Sequence, residues 1–497
     1  MFSYDMLGEA AQTEADAERY FQRYMTAVQA VGRAEGPLFD TNRAAVMARP
    51  GLSVKLSAIH PRFEPGRERH LQHELLPRLV ELVSEARAQG LGLTIDAEEQ
   101  FRLDVQLEMF GQLFARPEVA DWDGLGLAVQ AYGKRAVPVL RWLRRLAVQH
   151  GKRIPVRLVK GAYWDSEVKW AQEAGFTDYP VFTRKLHTDV SYLACVRMLL
   201  AEPDAFYPQF ATHNAQTLAA VAVAGSGRAF EFQRLHGMGQ DLYEHVLADD
   251  AVAQRCRIYA PVGGHADLLA YLVRRLLENG ANTSFINRLA DGEAPVAEIV
   301  SDPIERAETE REKGQTEKLY AIPRPPALYG DARRNSIGLA VSEAPVRAQL
   351  LAEMGEALKE GFAAAPLVEG GVVSDGEEEL VACPHDRRQR LGTVRAASEA
   401  TVDRAIEVAA AAQWRWDQRG GAARAEILEK AADLYERDRA RLIAVIVREA
   451  GKTLDNAQGD VREAVDFLRY YATEARRLFS SITELSGPTG ERNELSL

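Results

Sequence analysis

Short apolar runs and longer amphipathic runs alternate eight times over residues 1–290, and few folds accommodate that pattern. The apolar runs are Phe2–Leu7, Leu52–Ser57, Leu91–Ala97, Gly124–Tyr132, Pro155–Gly161, Gln209–His213, Ala229–His236 and Arg257–Val262. Most are near-continuously apolar or rich in β-branched residues, as parallel strands covered on both faces are. Helical patterns fall between them at Ala15–Gly32, His70–Gln89, Val105–Phe114, Ala136–His150, Ser166–Ala174, Asp189–Ala201, Ala215–Val223 and Gln240–Ala248, and another, Ala266–Asn279, follows the last strand. Strand then helix, eight times over, predicts an α/β fold: a (β/α)8 barrel over residues 1–290.

The remainder is different in character. Residues 291–345 run from a charged stretch into IPRPPALYGDARRNS, which reads as a surface linker. Residues 346–497 are expected to form a smaller, mostly helical unit. It has strand-like pieces at Glu379–Pro384 and Leu391–Val394, then helical runs at Thr401–Gln418, Ala422–Ala450 and Asn456–Phe479. In the last run Val461, Ala464, Val465, Leu468 and Ala472 recur at helical spacing and need a surface to cover them. The polar end, SITELSGPTGERNELSL, looks like a hairpin arm.

Composition removes several function classes. The 497 residues carry 61 Lys+Arg against 72 Asp+Glu, a net charge of −11, and no basic cluster, so a nucleic-acid partner is not expected. Cys195, Cys256 and Cys383 are far apart, which argues against a zinc knuckle or disulfide framework and fits a reduced cytoplasmic compartment. No apolar run reaches the ~18 residues of a membrane span, and the acidic N-terminus is unlike a signal peptide. No metal is expected, and the hydrolase and phosphate-loop motifs HExxH, GxxxxGK[ST] and GxSxG do not occur.

Barrel enzymes place their chemistry at the C-terminal ends of the strands. Polar side chains collect at those ends: Lys55 and Ser57; Asp96 and Glu98; Gln130 and Tyr132; Arg157 and Lys160, followed by Gly161, Ala162, Tyr163 and Trp164; Thr212, His213 and Asn214; Gln233 and His236; and Tyr259. A purely structural barrel would put few polar groups there, because each one buried without a partner costs ~1–3 kcal/mol. Individual residues also have plainer readings: Asp96 as a helix cap, Glu98 as a first-turn acid, His213 as a satisfied core histidine, Tyr163 and Trp164 as packing aromatics. On the last barrel helix Tyr271, Arg275 and Glu278 align with Arg274 beside them, a set able to grip a zwitterion. Taken alone, that helix reads more simply as a solvated face with an Arg–Glu pair.

The strings SVKLSAIHPRFEP, LTIDAEE, RLVKGAYWD, FATHNAQT, FEFQRLHGMG and YAPVGGHADLLAYLVRRLLENGANTSFINR resemble the proline dehydrogenase domain of the bifunctional proline utilization A family, in order, from about residue 2 to 290. The resemblance implies a distorted barrel that binds FAD. It also implies oxidation of L-proline to Δ1-pyrroline-5-carboxylate by hydride transfer to flavin N5, with electrons passed to a membrane quinone and transient contact with the inner membrane face. By the same resemblance Arg274 and Arg275 bind the proline carboxylate and Glu278 belongs to their helical motif. Lys55, Asp96, Tyr163, Leu235 and Tyr259 enclose the substrate, and Arg157 lies near flavin N5. Gln130, Arg157, Val159, Lys160, Gly161, Ala162, Tyr163, Trp164, Thr183, Lys185, Thr212, His213, Asn214, Gln233, Glu278 and Phe285 match cofactor contacts, and Glu9 resembles a gating glutamate.

The strings ACPHDRRQRLGTV and VREAGKTLDNAQGDVREAVDFLRYYATEARRLF resemble the start of an aldehyde dehydrogenase domain. That domain's nucleotide motifs and catalytic cysteine do not follow, so a second, glutamate semialdehyde dehydrogenase activity is expected to be absent and the chain to be a trimmed fragment. Competing readings are a non-catalytic fragment dependent on a partner, and a barrel enzyme acting on another imino acid such as hydroxyproline or pipecolate. Arg275→Met is expected to raise the KM for L-proline at least tenfold while the protein keeps its flavin; steady-state kinetics with an unchanged KM would remove the arginine from the clamp.

Overall fold

The computed structural model describes residues 1–38, 45–249, 252, 254–264, 268–269, 271–273, 297, 300–313 and 320–495. The chain divides into two compact units, Met1–Lys169 with Tyr179–Ile322, and Trp170–Asp178 with Pro323–Leu497.

The first unit is a closed parallel barrel of β1 (Phe2–Met6), β2 (Gly51–Val54), β3 (Gly92–Ile95), β4 (Leu125–Gln130), β5 (Ile154–Val159), β6 (Phe206–Ala211), β7 (Glu231–Leu235) and β8 (Arg255–Val262). Each strand pairs with the next in sequence, and β8 returns to β1, so the eight predicted strands form the predicted barrel. Between strands the chain forms helices including Glu14–Glu35, Glu68–Ala88, Leu103–Phe114, Ala136–His150, Trp164–Glu173, Lys185–Ala201, Ala215–Ala224 and Gln240–Leu247. Their boundaries follow local chemistry. Thr13 and Asp16 form a capping box at the start of Glu14–Glu35, and Gly151 adopts a left-handed conformation to close Ala136–His150.

Alternation along each strand sorts the barrel into two layers. Leu52 and Val54, Leu93 and Ile95, Leu125, Leu127 and Val129, and Ile154, Val156 and Leu158 join one apolar core with helix residues such as Leu71, Leu75, Leu79, Phe110 and Val196. Residues of the opposite parity bond across the lumen. The guanidinium of Arg157 on β5 reaches Ser3 on β1, Ser53 on β2 and Gln233 on β7, none of them on a neighbouring strand. Stability therefore comes from the shell between strands and helices, while the lumen is polar.

Residues 291–345, expected to be a linker, include a helix over Pro303–Glu312. Asp302 caps it by accepting from the Ile304 N–H at 2.7 Å, and its Glu310 pairs with Arg184 at 2.7 Å. In the second unit a helix over Ala344–Ala357 precedes a three-stranded sheet of Phe362–Ala364, Glu378–Cys383 and Asp386–Arg395. Helices Glu399–Asp417, Gly420–Arg437, Arg439–Ala450 and Leu454–Phe479 follow, then an antiparallel pair, Thr483–Leu485 with Asn493–Leu495. The single run expected over Ala422–Ala450 is two helices broken at Asp438. Aspartate is a poor helix-interior residue, and here its carboxylate takes the neighbouring Arg437 guanidinium at 2.7 and 2.8 Å. Val461, Val465 and Ala472 are buried as their spacing predicts.

Phe232 is fully buried in the shell, whereas Val223 is 79% exposed. Phe232→Ala is expected to cost ~3–5 kcal/mol in urea unfolding and Val223→Ala under ~0.5 kcal/mol; comparable losses would contradict this placement of the core.

Candidate active site

Asp96 follows β3 and is the common acceptor of the lumen. Arg157 and Lys55 bond to it, the latter at 3.4 Å, and the Tyr259 hydroxyl donates to it at 2.8 Å. Lys55 also reaches Asp5 at 2.9 Å, and Arg157 lies over the Tyr259 ring with its guanidinium carbon 4.9 Å from the centroid. Asp5, Lys55, Asp96 and Arg157 are buried and Tyr259 is half-buried, so each charge must be matched. Burial pushes the Asp96 carboxyl up, but Arg157 and Lys55 outweigh it and hold it below the usual carboxylate range. Burial pulls Lys55 down, yet Asp5, Tyr259 and Asp96 keep its ammonium well above the ordinary value. Tyr259 is raised well above a normal phenol, mainly by burial. At neutral pH the cluster therefore holds a carboxylate, an ammonium and a protonated phenol, which makes it a set of fixed charges rather than a proton relay.

Below the cluster the network continues. The Arg157 Nε donates to Gln233 Oε1 at 2.8 Å, and Gln233 Nε2 donates to Glu231 at 2.9 Å. Glu231 also takes Gln209 Nε2 at 2.9 Å and Arg257 at 2.6 and 3.0 Å. Arg257 in turn donates to the carbonyls of Arg49 and Met47 at 2.7 and 2.9 Å. The predicted Lys55, Asp96, Arg157, Gln233 and Tyr259 thus belong to one network. Ser3, Asp5, Ser53, Gln209, Glu231 and Arg257 belong to it as well and were not predicted. A signal for all of these but Gln209 exists in the sequence: Ser3 and Asp5, Ser53 and Lys55, Glu231 and Gln233, and Arg257 and Tyr259 are pairs two residues apart on one strand face.

A second group gathers beyond the ends of β4–β6. The Gln130 amide donates to the Glu98 carbonyl at 2.8 Å and accepts from the Ala162 N–H at 3.1 Å, fixing the loop after Val159. Gly161 sits there at φ +148°, where an added Cβ would stand 2.3 Å from the Tyr132 ring. Lys160 and Lys185 share the Asp189 carboxylate, Lys185 at 2.7 Å, and Lys160 also reaches Thr217 at 3.1 Å. Burial pulls the Lys160 ammonium down to about 8 against the pull of Asp189. Asn214 caps the helix Ala215–Ala224 by accepting from the Thr217 N–H at 2.8 Å, and Thr212 accepts from the Asn214 N–H at 3.1 Å. His213 Nε2 accepts from the Leu235 N–H at 3.0 Å. Trp164 donates to the Phe182 carbonyl at 3.0 Å, and Thr183 accepts from the Ala321 N–H at 3.2 Å. Tyr163 leads into the helix Trp164–Glu173, where its carbonyl accepts from the Glu167 N–H at 2.9 Å. Two ammonium groups against one carboxylate, beside the N-termini of two helices, form a donor set suited to a phosphate-bearing anion.

At the rim Ala10 takes a left-handed φ of +50°, beside Glu9. Its N–H bonds to Ser57 Oγ at 3.0 Å, and Ser57 in turn bonds to the buried Glu98. Arg274, Arg275, Glu278 and Phe285 lie outside the described residues. Among the described residues, Glu14, His60 and Glu74 come close enough to share an ion. His60, however, uses both nitrogens, one with Glu74 at 2.9 Å and one accepting from the Arg62 N–H at 3.1 Å. This cluster reads as a histidine held by hydrogen bonds, with neither nitrogen left for an ion.

Glu167 accepts the Gln100 N–H at 2.6 Å, and burial pushes its carboxyl up to about 7. A raised carboxyl means the folded state binds the extra proton between pH 4.5 and about 7, so stability falls as pH rises through that window. Glu167→Gln is expected to remove up to roughly 3 kcal/mol of that loss between pH 5 and 8; urea melts with the same pH slope in both proteins would contradict it.

Residues 1–288 match the family model described as proline dehydrogenase, and residues 372–495 match that of the aldehyde dehydrogenase family. The bifunctional protein PutA of Escherichia coli K12 is 47% identical over 491 residues, covering 97% of this chain and 37% of that protein. The Rhizobium meliloti protein of the same name is 43% identical, covering 98% and 39%. The chain thus spans well under half the length of these relatives. Among solved structures, a Bradyrhizobium japonicum proline utilization A variant superposes with a TM-score of 0.84 at 43% identity, over 100% of this chain and 46% of that one. The Bdellovibrio bacteriovorus protein, inactivated by N-propargylglycine, gives 0.85 at 28% identity, over 99% and 51%. Matched over its whole barrel, the chain belongs to the proline dehydrogenase family.

Proposed function

We propose that the barrel oxidises L-proline to Δ1-pyrroline-5-carboxylate, using FAD held beyond the ends of β4–β6 and passing electrons on to a quinone. The observation that carries this reading is the balanced charge cluster around Asp96 inside a barrel of this family. It rests also on the names of the relatives and on the resemblance that supplies the flavin and the quinone. The residues suit a flavin dinucleotide. Lys160 and Lys185 present the cationic donors a pyrophosphate requires, Thr212 and Asn214 order the start of the helix beside them, and the Gly161 loop leaves its backbone bare. When bound, the flavin supplies the two-electron acceptor for a hydride.

The chain's own contribution is binding, orientation and field. In this reading Arg274 and Arg275 clamp the carboxylate of proline. Lys55, Asp96 and Tyr259 keep the rest of the ring in one pose, with Tyr163 and Leu235 closing the sides. Arg157 is held by Asp96, Ser3, Ser53 and Gln233, so its positive charge is preset where negative charge develops. In this reading Lys55 and Tyr259 as proton-bearing groups and Asp96 as a carboxylate act as fixed charges that orient the substrate. Among the described residues no helix is long and apolar enough to cross a membrane.

The test is an absorbance spectrum of the purified protein before and after anaerobic L-proline. A visible flavin band that bleaches is the expected result. A band that persists, or a colourless protein that takes up no added FAD, would overturn the reading.

A further inference from the structure

We infer that Glu231 is a positioning residue for this reaction: it fixes the Gln233 amide and, through it, the guanidinium of Arg157. The inference rests on the function proposed above. Glu231 is wholly buried, two residues before Gln233 on β7, with both side chains on the lumen face. Its Oε1 accepts Gln233 Nε2 and Gln209 Nε2, each at 2.9 Å, and Arg257 Nε at 2.6 Å. Arg257 is itself tied to the Met47 and Arg49 carbonyls, so the carboxylate has a fixed seat on the barrel floor.

Donor chemistry makes the relay directional. An arginine can only donate and an ionised carboxylate can only accept. Gln233 stands between one of each, so only one amide orientation satisfies both neighbours: oxygen towards Arg157 and nitrogen towards Glu231. Without the carboxylate, nothing in the relay prevents the amide from turning its NH2 towards Arg157. The Arg157 Nε would then lose its acceptor, although Asp96, Ser3 and Ser53 would still hold the other two nitrogens. The expected fault is therefore a tilted guanidinium rather than a lost one. A tilt costs rate and reduced-flavin stability more than it costs substrate affinity.

Two variants test this in the flavin-loaded protein. The double variant E231L/R257M removes the buried pair at similar volume, a replacement that proteins commonly tolerate. Glu231→Asp keeps a carboxylate charge beside Arg257 but draws the shared oxygen back from Gln233 and Arg257 alike, so it remains informative if the double variant does not fold. Flavin content, melting temperature, kcat, KM and the flavin midpoint potential are measured for each. In the double variant the expected result is full flavin content, a KM within about threefold, and a kcat at least about tenfold lower. Its midpoint potential should fall by about 30 mV, a tenfold shift in a two-electron equilibrium. Glu231→Asp should move kcat and potential in the same direction by a smaller step. A parental kcat and potential in whichever variant folds, with only the melting temperature changed, would overturn the inference and leave Glu231 a structural ion-pair partner. A parent protein that L-proline does not reduce would instead overturn the proposed function, before any variant is compared.

Discussion

The guanidinium of Arg157 is buried against the carboxylate of Asp96, which also takes the Lys55 ammonium, so the lumen charges are held as a set. Removing one partner of such a pair costs ~3–5 kcal/mol, because the survivor is left uncompensated. The same logic extends along the barrel. Lys55, Arg157 and Arg257 face Asp5, Asp96 and Glu231, three cations against three anions among the described residues.

A barrel of ordinary design fills its centre with Val, Ile and Leu. Here that role belongs to the shell between strands and helices, where Leu93, Ile95, Phe210 and Phe232 pack without polar atoms. The lumen contributes little net stability, since buried ion pairs about break even against apolar isosteres. What they provide is a field already oriented before substrate arrives. The loop at Gly161 shows the same division: its φ of +148° and its approach to Tyr132 exclude a side chain, which leaves bare backbone at the mouth.

The strands were legible because parallel strands buried on both faces must be apolar, and their C-terminal ends were legible because polar groups interrupt those runs. Legibility stopped inside the strands. Ser3, Asp5, Glu231 and Arg257 lie before the strand ends, where a search confined to those ends does not look, although the spacings of two in Ser3 and Asp5, Glu231 and Gln233, and Arg257 and Tyr259 mark the lumen face. The partner of Lys160 was illegible for another reason. Asp189 lies four residues after Lys185 on the same helix, a spacing that marks that pair, but only the folded loop brings Lys160 to it. The break at Asp438 was hidden because apolar residues continue on both sides of it.

The central claim is that the Asp96-centred network presets Arg157 for hydride transfer. The most direct test is the single-turnover rate at which anaerobic L-proline reduces flavin-loaded Asp96→Asn, compared with the parent. The account predicts a rate at least about a hundredfold lower with flavin content unchanged, the scale expected when a preorganised donor is lost. A rate within about twofold of the parent would show that the network holds the barrel together and does nothing for the reaction.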